Sequence, residues 1–270
     1  MRISLSRHPE RSRREETEGL LKYLCTMILQ PKIFDSSKVI AAQSTRLGGV
    51  SAEPFDSMNL GLSVKDEEQN VLKNRELFFG GLGIKLEQLA ISHQVHGNKV
   101  LLVNEPGRKE GFDAQITNKA NLFLIVSVAD CTPILIHDEK NNAVAAIHAG
   151  WRGTAGKIVS NALQLMKENY GTEGKDCKAF IGACISYDNF EVGDEVAVNF
   201  DESLKRFDEQ KQKWFVNLKK ANQKQLLDFG VLESNIEISD YCTVENNNTF
   251  FSHRKEKGVT GRMMAVIGLK

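Results

Sequence analysis

The 270-residue sequence lacks charge imbalance and long apolar runs, and it is poor in cysteine, proline, histidine and aromatic residues. Lys plus Arg and Asp plus Glu each number 35, so no global field draws the chain to nucleic acid or to an anionic membrane, and neither is expected as a partner. No apolar stretch approaches the roughly 20 residues needed to span a bilayer. The N-terminus shows no apolar segment followed by a small-residue cleavage site, so the expected location is cytoplasmic. Cys25, Cys131, Cys177, Cys184 and Cys242 are odd in number and scattered, which argues against a disulfide framework and leaves a special cysteine the roles of ligand or nucleophile.

What is present divides unevenly along the chain. MRISLSRHPERSRREETEGL is dense in Arg and Glu with no apolar period, whereas alternation begins only around Met27 to Ile40. Residues 1–26 therefore read as a tail outside the fold, or as sequence upstream of a true start at Met27, and residues 27–270 as one domain. KVIAAQST, LFLIVSVADC, PILIHD, AVAAIHA and RMMAVIGL read as strands, and VLKNRELFFGGLG as a short helix. AISHQVH and KVLLVNE read as a hairpin turning at Gly97-Asn98. A helix is expected to open at Thr154 and end at Gly171, with two more near 194–207 and 214–229. Strands that meet by hairpins rather than strict alternation with helices favour the α/β class with a central mixed β-sheet and helices packed outside it.

VAAIHAGWRGTAG, residues 144–156, places His148 at the end of a small-residue apolar run, directly before Gly150, Trp151 and Arg152. If the turn between PILIHD and AVAAIHA centres near Lys140, facing residue numbers sum to about 280. His148 then falls within one position of Cys131 across an antiparallel ladder. His96, at the last position before Gly97-Asn98, is a third donor at a strand end. Two imidazoles and one thiolate form a three-ligand set that in zinc enzymes leaves a fourth position open. The competing reading makes Cys131 a small core residue and His148 a satisfied core histidine. His93 competes with His96, but their spacing puts them on opposite faces of a strand. His137, beside Asp138, is expected at the surface. His253 has no local signal for a role.

STRLGGVS (44–51), NLGLSV (59–64), HQVHGNKV, ADCTPILI, HAGWRGTAG, FEVGDEV (190–196) and FFSHRKEKGVTGR stand in an order that resembles the YfiH-type family over nearly all of residues 33–270. That family was long labelled multicopper polyphenol oxidase or laccase domain. It is now associated with purine nucleoside phosphorylase and adenosine deaminase activity, and in bacteria also with peptidoglycan editing. The resemblance implies an α/β fold with a central mixed sheet and a metal bound by His96, Cys131 and His148. Two departures stand out: Thr132 replaces a usually apolar residue, and IGACISYDNFEVG lacks the proline that commonly follows Ile-Gly.

The expected function is a metal-dependent phosphorylase of adenosine, inosine or methylthioadenosine that also deaminates adenosine, with Zn2+ as cofactor and Cu2+ as the alternative ion. Asp130 and Glu191 are the candidate proton carriers, and Arg152 the candidate phosphate ligand beside the helix expected at Thr154. Arg46, Arg254 and Arg262 are further basic candidates for the pocket, Asn59 a sugar ligand and Phe190 a base-stacking ring. A copper phenol oxidase shares the two-His, one-Cys ligand chemistry, but six histidines are too few to fill a trinuclear cluster as well. A cysteine hydrolase of cell-wall amides or esters, with Cys131 as nucleophile and His148 as base, needs no metal. Deleting residues 1–26 is expected to leave the melting temperature and activity unchanged. A drop of several degrees in a thermal melt of the truncated chain would show that the segment docks.

Overall fold

The computed structural model describes residues 27–270, so the expectation for residues 1–26 lies outside the described residues. The strands are β1 (Ile28–Leu29), β2 (Val39–Ser44), β3 (Leu89–His93), β4 (Val100–Leu102), β5 (Gly107–Glu110), β6 (Ala114–Thr117), β7 (Phe123–Val128), β8 (Thr132–Asp138), β9 (Ala143–Ala149), β10 (Cys177–Ile181), β11 (Glu191–Val192), β12 (Lys205–Asp208), β13 (Lys213–Val216), β14 (Ile236–Ile238) and β15 (Met263–Leu269). The helices are α1 (Glu68–Gly81), α2 (Trp151–Ala155), α3 (Ile158–Tyr170), α4 (Asp194–Ala197) and α5 (Leu218–Asp228). None among the described residues is long and apolar enough to cross a membrane.

The strands form two mixed six-stranded sheets, ordered β1-β2-β15-β7-β3-β5 and β14-β10-β8-β9-β6-β4, and a small third sheet β11-β13-β12. The two large sheets pack face to face, and α1 and α3 cover their outer faces. This explains the continuous apolar runs, because a strand buried on both faces has no polar side to present. In β9, Val144 and Ala146 point between the sheets while Ala145 and Ile147 meet Ile158, Ala162 and Met166 of α3. In β15, Ala265 and Ile267 point between the sheets while Met264 and Val266 meet Phe78 and Phe79 of α1. The α/β class with mixed sheets and outer helices is as expected; the strands divide over two sheets instead of one centre.

Several local expectations differ. Gly97-Asn98 does not turn a hairpin: β3 pairs in parallel with β7 and β5 in the first sheet, and β4 pairs in parallel with β6 in the second. The chain crosses between sheets there. The helix expected at Thr154 is broken, because Lys157 takes a left-handed φ of 59° between α2 and α3; Gly171, at φ 72°, ends α3 as expected. The helix expected near 194–207 is only one turn long before β12, and the one near 214–229 begins at Leu218. There the aromatic and β-branched run Trp214–Val216 pairs with β12 as a strand, and Asn217 caps α5 by accepting from the Lys220 N–H at 2.9 Å.

His137 is not at the surface. It is fully buried in β8, on the same side as Leu135 between the sheets, and neither ring nitrogen has a partner among the described residues. Burial is the main influence and holds the imidazole below its ordinary range, with Lys38 and Lys178 acting in the same direction and Glu139 and Asp138 opposing. A histidine with a depressed folded-state pKa is neutral in the native protein and takes up a proton on unfolding. Its contribution to stability is present above the unfolded value and lost as pH falls below about 6.5. His137→Leu is expected to flatten this acid-side loss by up to about 1.4 kcal/mol per pH unit. Parallel acid-side slopes for variant and wild type in urea titrations at pH 5 to 8 would contradict this.

Candidate active site

Three chain segments meet where the sheets exchange strands. The β3–β4 crossover carries His96, the β7–β8 crossover carries Cys131, and His148 is the penultimate residue of β9. The β8/β9 register pairs Pro133 with His148 and Thr132 with Ala149, so partner numbers sum to 281 and Cys131 lies one step beyond the ladder, across from Gly150. Ligand atoms of His96, Cys131 and His148 all lie within 4.8 Å of one another. The two imidazoles meet edge to face, with centroids 4.8 Å apart. Both crossovers turn on non-glycine residues in the left-handed region, His96 at φ 57° and Asp130 at φ 81°.

Asp113, which precedes β6, holds this arrangement together. Its carboxylate accepts from the backbone N–H groups of Val95, His96 and Gly97 at 3.2, 2.9 and 2.8 Å, and from His148 Nδ1 at 2.8 Å. His148 Nε2 is thereby left to face Cys131 and His96. Burial alone would raise the Asp113 carboxyl, but the hydrogen bonds from His148, Gly97 and Val95 hold it below its ordinary value. Burial would likewise raise the Cys131 thiol, yet the charges and hydrogen bonds of His148 and His96 bring it down to about 6. Burial would lower His148, and the Cys131 thiolate with Asp113 raises it to about 9. Both shifts run in the direction that favours a thiolate beside an imidazolium.

The trio fits a metal ion. Its donors are two borderline nitrogens and one soft sulfur, a set that suits zinc or copper rather than magnesium or calcium. Gly150 keeps the space above them clear, since a Cβ there would lie 3.2 Å from both Cys131 Sγ and His96 Cδ2. The carboxylate behind His148 is the usual means of orienting an imidazole ligand.

The trio opens into a cavity of about 510 Å³. Asp130, Phe190, Arg254 and Arg262 also line it, together with His93 and His253. Asp130 is held from both sides: Oδ1 accepts from the Thr243 hydroxyl at 2.5 Å and Oδ2 from the Arg254 N–H at 2.6 Å. His93 is directed to Glu110 at 2.7 Å rather than to the trio.

Arg46, Asn59, Arg152 and Glu191 lie outside the cavity lining. Arg46 is buried against Asp56, Glu256 and the Asn247 carbonyl, with its guanidinium over Phe251. Asn59 is fully buried and bonded to Gly61, Asp66 and Arg262. Arg152 is exposed and stacks 4.5 Å from the Trp151 ring centroid. Glu191 sits in β11 opposite Phe215.

Sequence reasoning missed Asp113, Arg75 and Arg108. Asp113 reads in GFDAQIT as one acid before an apolar strand, and Arg75 in VLKNREL as part of a solvated helix face. Neither has a local signal, because their partners are distant in the chain.

Comparison with known proteins bears on this site. Residues 40–270 match the family described as "Multi-copper polyphenol oxidoreductase laccase". The chain is 37% identical over 240 residues to the "Purine nucleoside phosphorylase" of Bacteroides thetaiotaomicron, covering 83% of this chain and 89% of that protein. It is 34% identical over 251 residues to the "Purine nucleoside phosphorylase YlmD" of Bacillus subtilis, covering 87% and 90% respectively. The crystal structure of YlmD from Geobacillus stearothermophilus superposes with a TM-score of 0.85 at 33% identity, covering 90% of this chain and 96% of that one.

The thiolate state of Cys131 has a direct chemical readout. In chelator-treated protein at pH 7, iodoacetamide is expected to alkylate Cys131 at least about a hundredfold faster than Cys184, whose thiol burial pushes up to about 11. Asp113→Asn is expected to slow the Cys131 reaction by weakening the imidazolium beside it. Equal labelling of Cys131 and Cys184 in peptide mass mapping would contradict the assignment.

Proposed function

The chain belongs to the multi-copper polyphenol oxidoreductase laccase family, and from that premise we propose that it is a purine nucleoside phosphorylase with zinc held by His96, Cys131 and His148. The observation that carries this reading is a single cavity in which a three-donor metal site adjoins an aromatic wall and a guanidinium-rich wall. Adenosine, inosine and methylthioadenosine are the proposed nucleosides; the names borne by the relatives support the purine nucleoside class.

Phe190, Ile185 and Trp151 form the apolar wall for the base, and Arg254 lies over the Phe190 ring at 5.7 Å. Arginines that line the same cavity hold phosphate against C1′ of the sugar, so that proximity and charge do most of the work. A phosphate oxygen bonds to C1′, the C1′–N9 bond breaks, and the purine leaves with the electron pair and takes a proton from solvent. The products are free base and sugar 1-phosphate. Zinc held by His96, Cys131 and His148 would supply Lewis-acid chemistry.

The finer expectation of adenosine deamination needs a carboxylate free to carry protons. Asp130 is the carboxylate lining the cavity among the described residues, and both its oxygens are engaged. Phosphorolysis is therefore the reading that the geometry supports best, and deamination would require Asp130 to release Thr243 or the Arg254 N–H. A phenol oxidase with several copper ions needs further ligand sets, and the trio is the one group of three metal-binding side chains found among the described residues. The series Cys131, His148, Asp113 also matches the order of a cysteine hydrolase acting on peptidoglycan precursors. His96, as a third donor aimed at the same point, favours an ion over that alternative.

Zinc analysis of protein purified without added metal is expected to find about one ion per chain, and far less in Cys131→Ser than in Cys184→Ser. Chromatography of inosine with the zinc-loaded enzyme is expected to show hypoxanthine and sugar 1-phosphate only when phosphate is present. Hypoxanthine at equal rates with and without phosphate would overturn phosphorolysis. Metal-free protein that releases no base would move the assignment to the hydrolase.

A further inference from the structure

We propose that Arg75 and Arg262, both suspended from the segment Asn59–Gly61, form the seat for inorganic phosphate in this cavity. The inference rests on the phosphorylase reading and deepens it by naming where the second substrate binds.

The two arginines come from distant parts of the chain, α1 and the start of β15, and a single tripeptide brings them together. The Leu60 carbonyl accepts from Arg75 Nε at 2.9 Å. The Leu60 N–H donates to the Arg262 carbonyl at 2.9 Å, and Asn59 Oδ1 accepts from the N–H groups of Arg262 and Gly61 at 2.8 and 3.0 Å. Gly61 lies flat against the Arg262 side chain, for a Cβ there would sit 2.7 Å from Arg262 Cγ. This gives the buried Asn59 a structural purpose in place of sugar binding.

Each guanidinium is pinned at one edge and open at the other. Arg262 Nη1 donates to the carbonyls of Thr260 and Gly261, leaving Nη2 and Nε without a protein acceptor among the described residues. Arg75 keeps both Nη groups open in the same sense, and neither arginine has a carboxylate partner among those residues. The other guanidiniums of the wall differ. Arg108 is engaged with Glu110 at 2.9 Å, and Arg254 lies over Phe190.

Half-buried cations with open donors and no counter-ion are the chemical complement of an anion. Two planar forks that come from different elements and line one cavity suit a tetrahedral oxyanion with several acceptor oxygens better than a flat carboxylate. Burial holds both guanidiniums below their ordinary range. At Arg75 the charge of Arg108 adds to this, whereas at Arg262 the Cys131 thiolate, Asp130 and Glu256 oppose it. Arg75 and Arg262 line the same cavity as the metal-binding trio, so a phosphate held by them would share that space with the sugar. Arg152, exposed on Trp151, does not serve this seat.

The test is calorimetric titration of the zinc-loaded full chain with inorganic phosphate and, separately, with inosine in phosphate-free buffer. Arg75→Met is expected to weaken phosphate binding by roughly tenfold to a hundredfold and to raise the KM for phosphate, with inosine affinity nearly unchanged. Arg75→Lys, which keeps the charge without the fork, is expected to fall between the two and covers the case in which the Met variant does not fold. Arg152→Ala is expected to retain wild-type phosphate affinity. Phosphate affinity that is unchanged in both Arg75 variants, or absent from the wild type, would overturn the seat. Loss of phosphate binding in Arg75→Met by a protein that yields no sugar 1-phosphate would uphold the seat as an oxyanion site and sink the phosphorylase reading instead.

Discussion

A single buried carboxylate, that of Asp113, is the constraint on which the site depends. It is 1% exposed, and a charge so placed is costly unless its lone pairs are satisfied. Here the partners are three successive backbone N–H groups of the β3–β4 crossover and the ring of His148. One group therefore fixes the loop that carries His96 and the orientation of the His148 imidazole near the end of β9. The backbone reinforces it, since the Asp113 carbonyl accepts from the His148 N–H at 2.7 Å.

The placement of strain follows the same logic. His96 and Asp130 both adopt left-handed φ values of the kind that cost free energy for non-glycine residues. Both sit where the chain passes from one sheet to the other, and both are held by polar contacts: His96 through Asp113, Asp130 through Thr243 and the Arg254 N–H. Strain at these two turns aims His96 and Cys131 at the end of β9, where continuous strand geometry would have sent their side chains along separate sheets. The sandwich core absorbs the cost, because β7, β8, β9 and β15 are apolar on both faces.

The family description and the site chemistry point in different directions, and the cavity accounts for the difference. Two histidines and a cysteine bind copper as readily as zinc by ligand type, which makes oxidase behaviour accessible to such a site without defining its function. The cavity beyond the trio is lined by the rings of Phe190 and Trp151 and by guanidiniums that include Arg75 and Arg262, so it offers both a stacking surface and anion donors.

Much of this was legible in the sequence. Two-faced apolar runs announced buried strands, small residues around Gly150 announced a close approach, and the facing of PILIHD and AVAAIHA brought Cys131 near His148 to within a residue of the observed register. Those features are local, governed by period, side-chain volume and turn length. Tertiary structure alone decided the rest. Gly97-Asn98 became a passage between sheets because the Val95 to Gly97 N–H groups found Asp113, and His137 became a core residue because the second sheet covered it. Asn59 turned from a ligand candidate into the clamp on Arg262, and Arg75 entered the cavity from a helix that reads as solvated. Each of these outcomes depends on a hydrogen bond or a packing contact between residues far apart in the chain, and no periodicity within a segment encodes which distant partner it will meet.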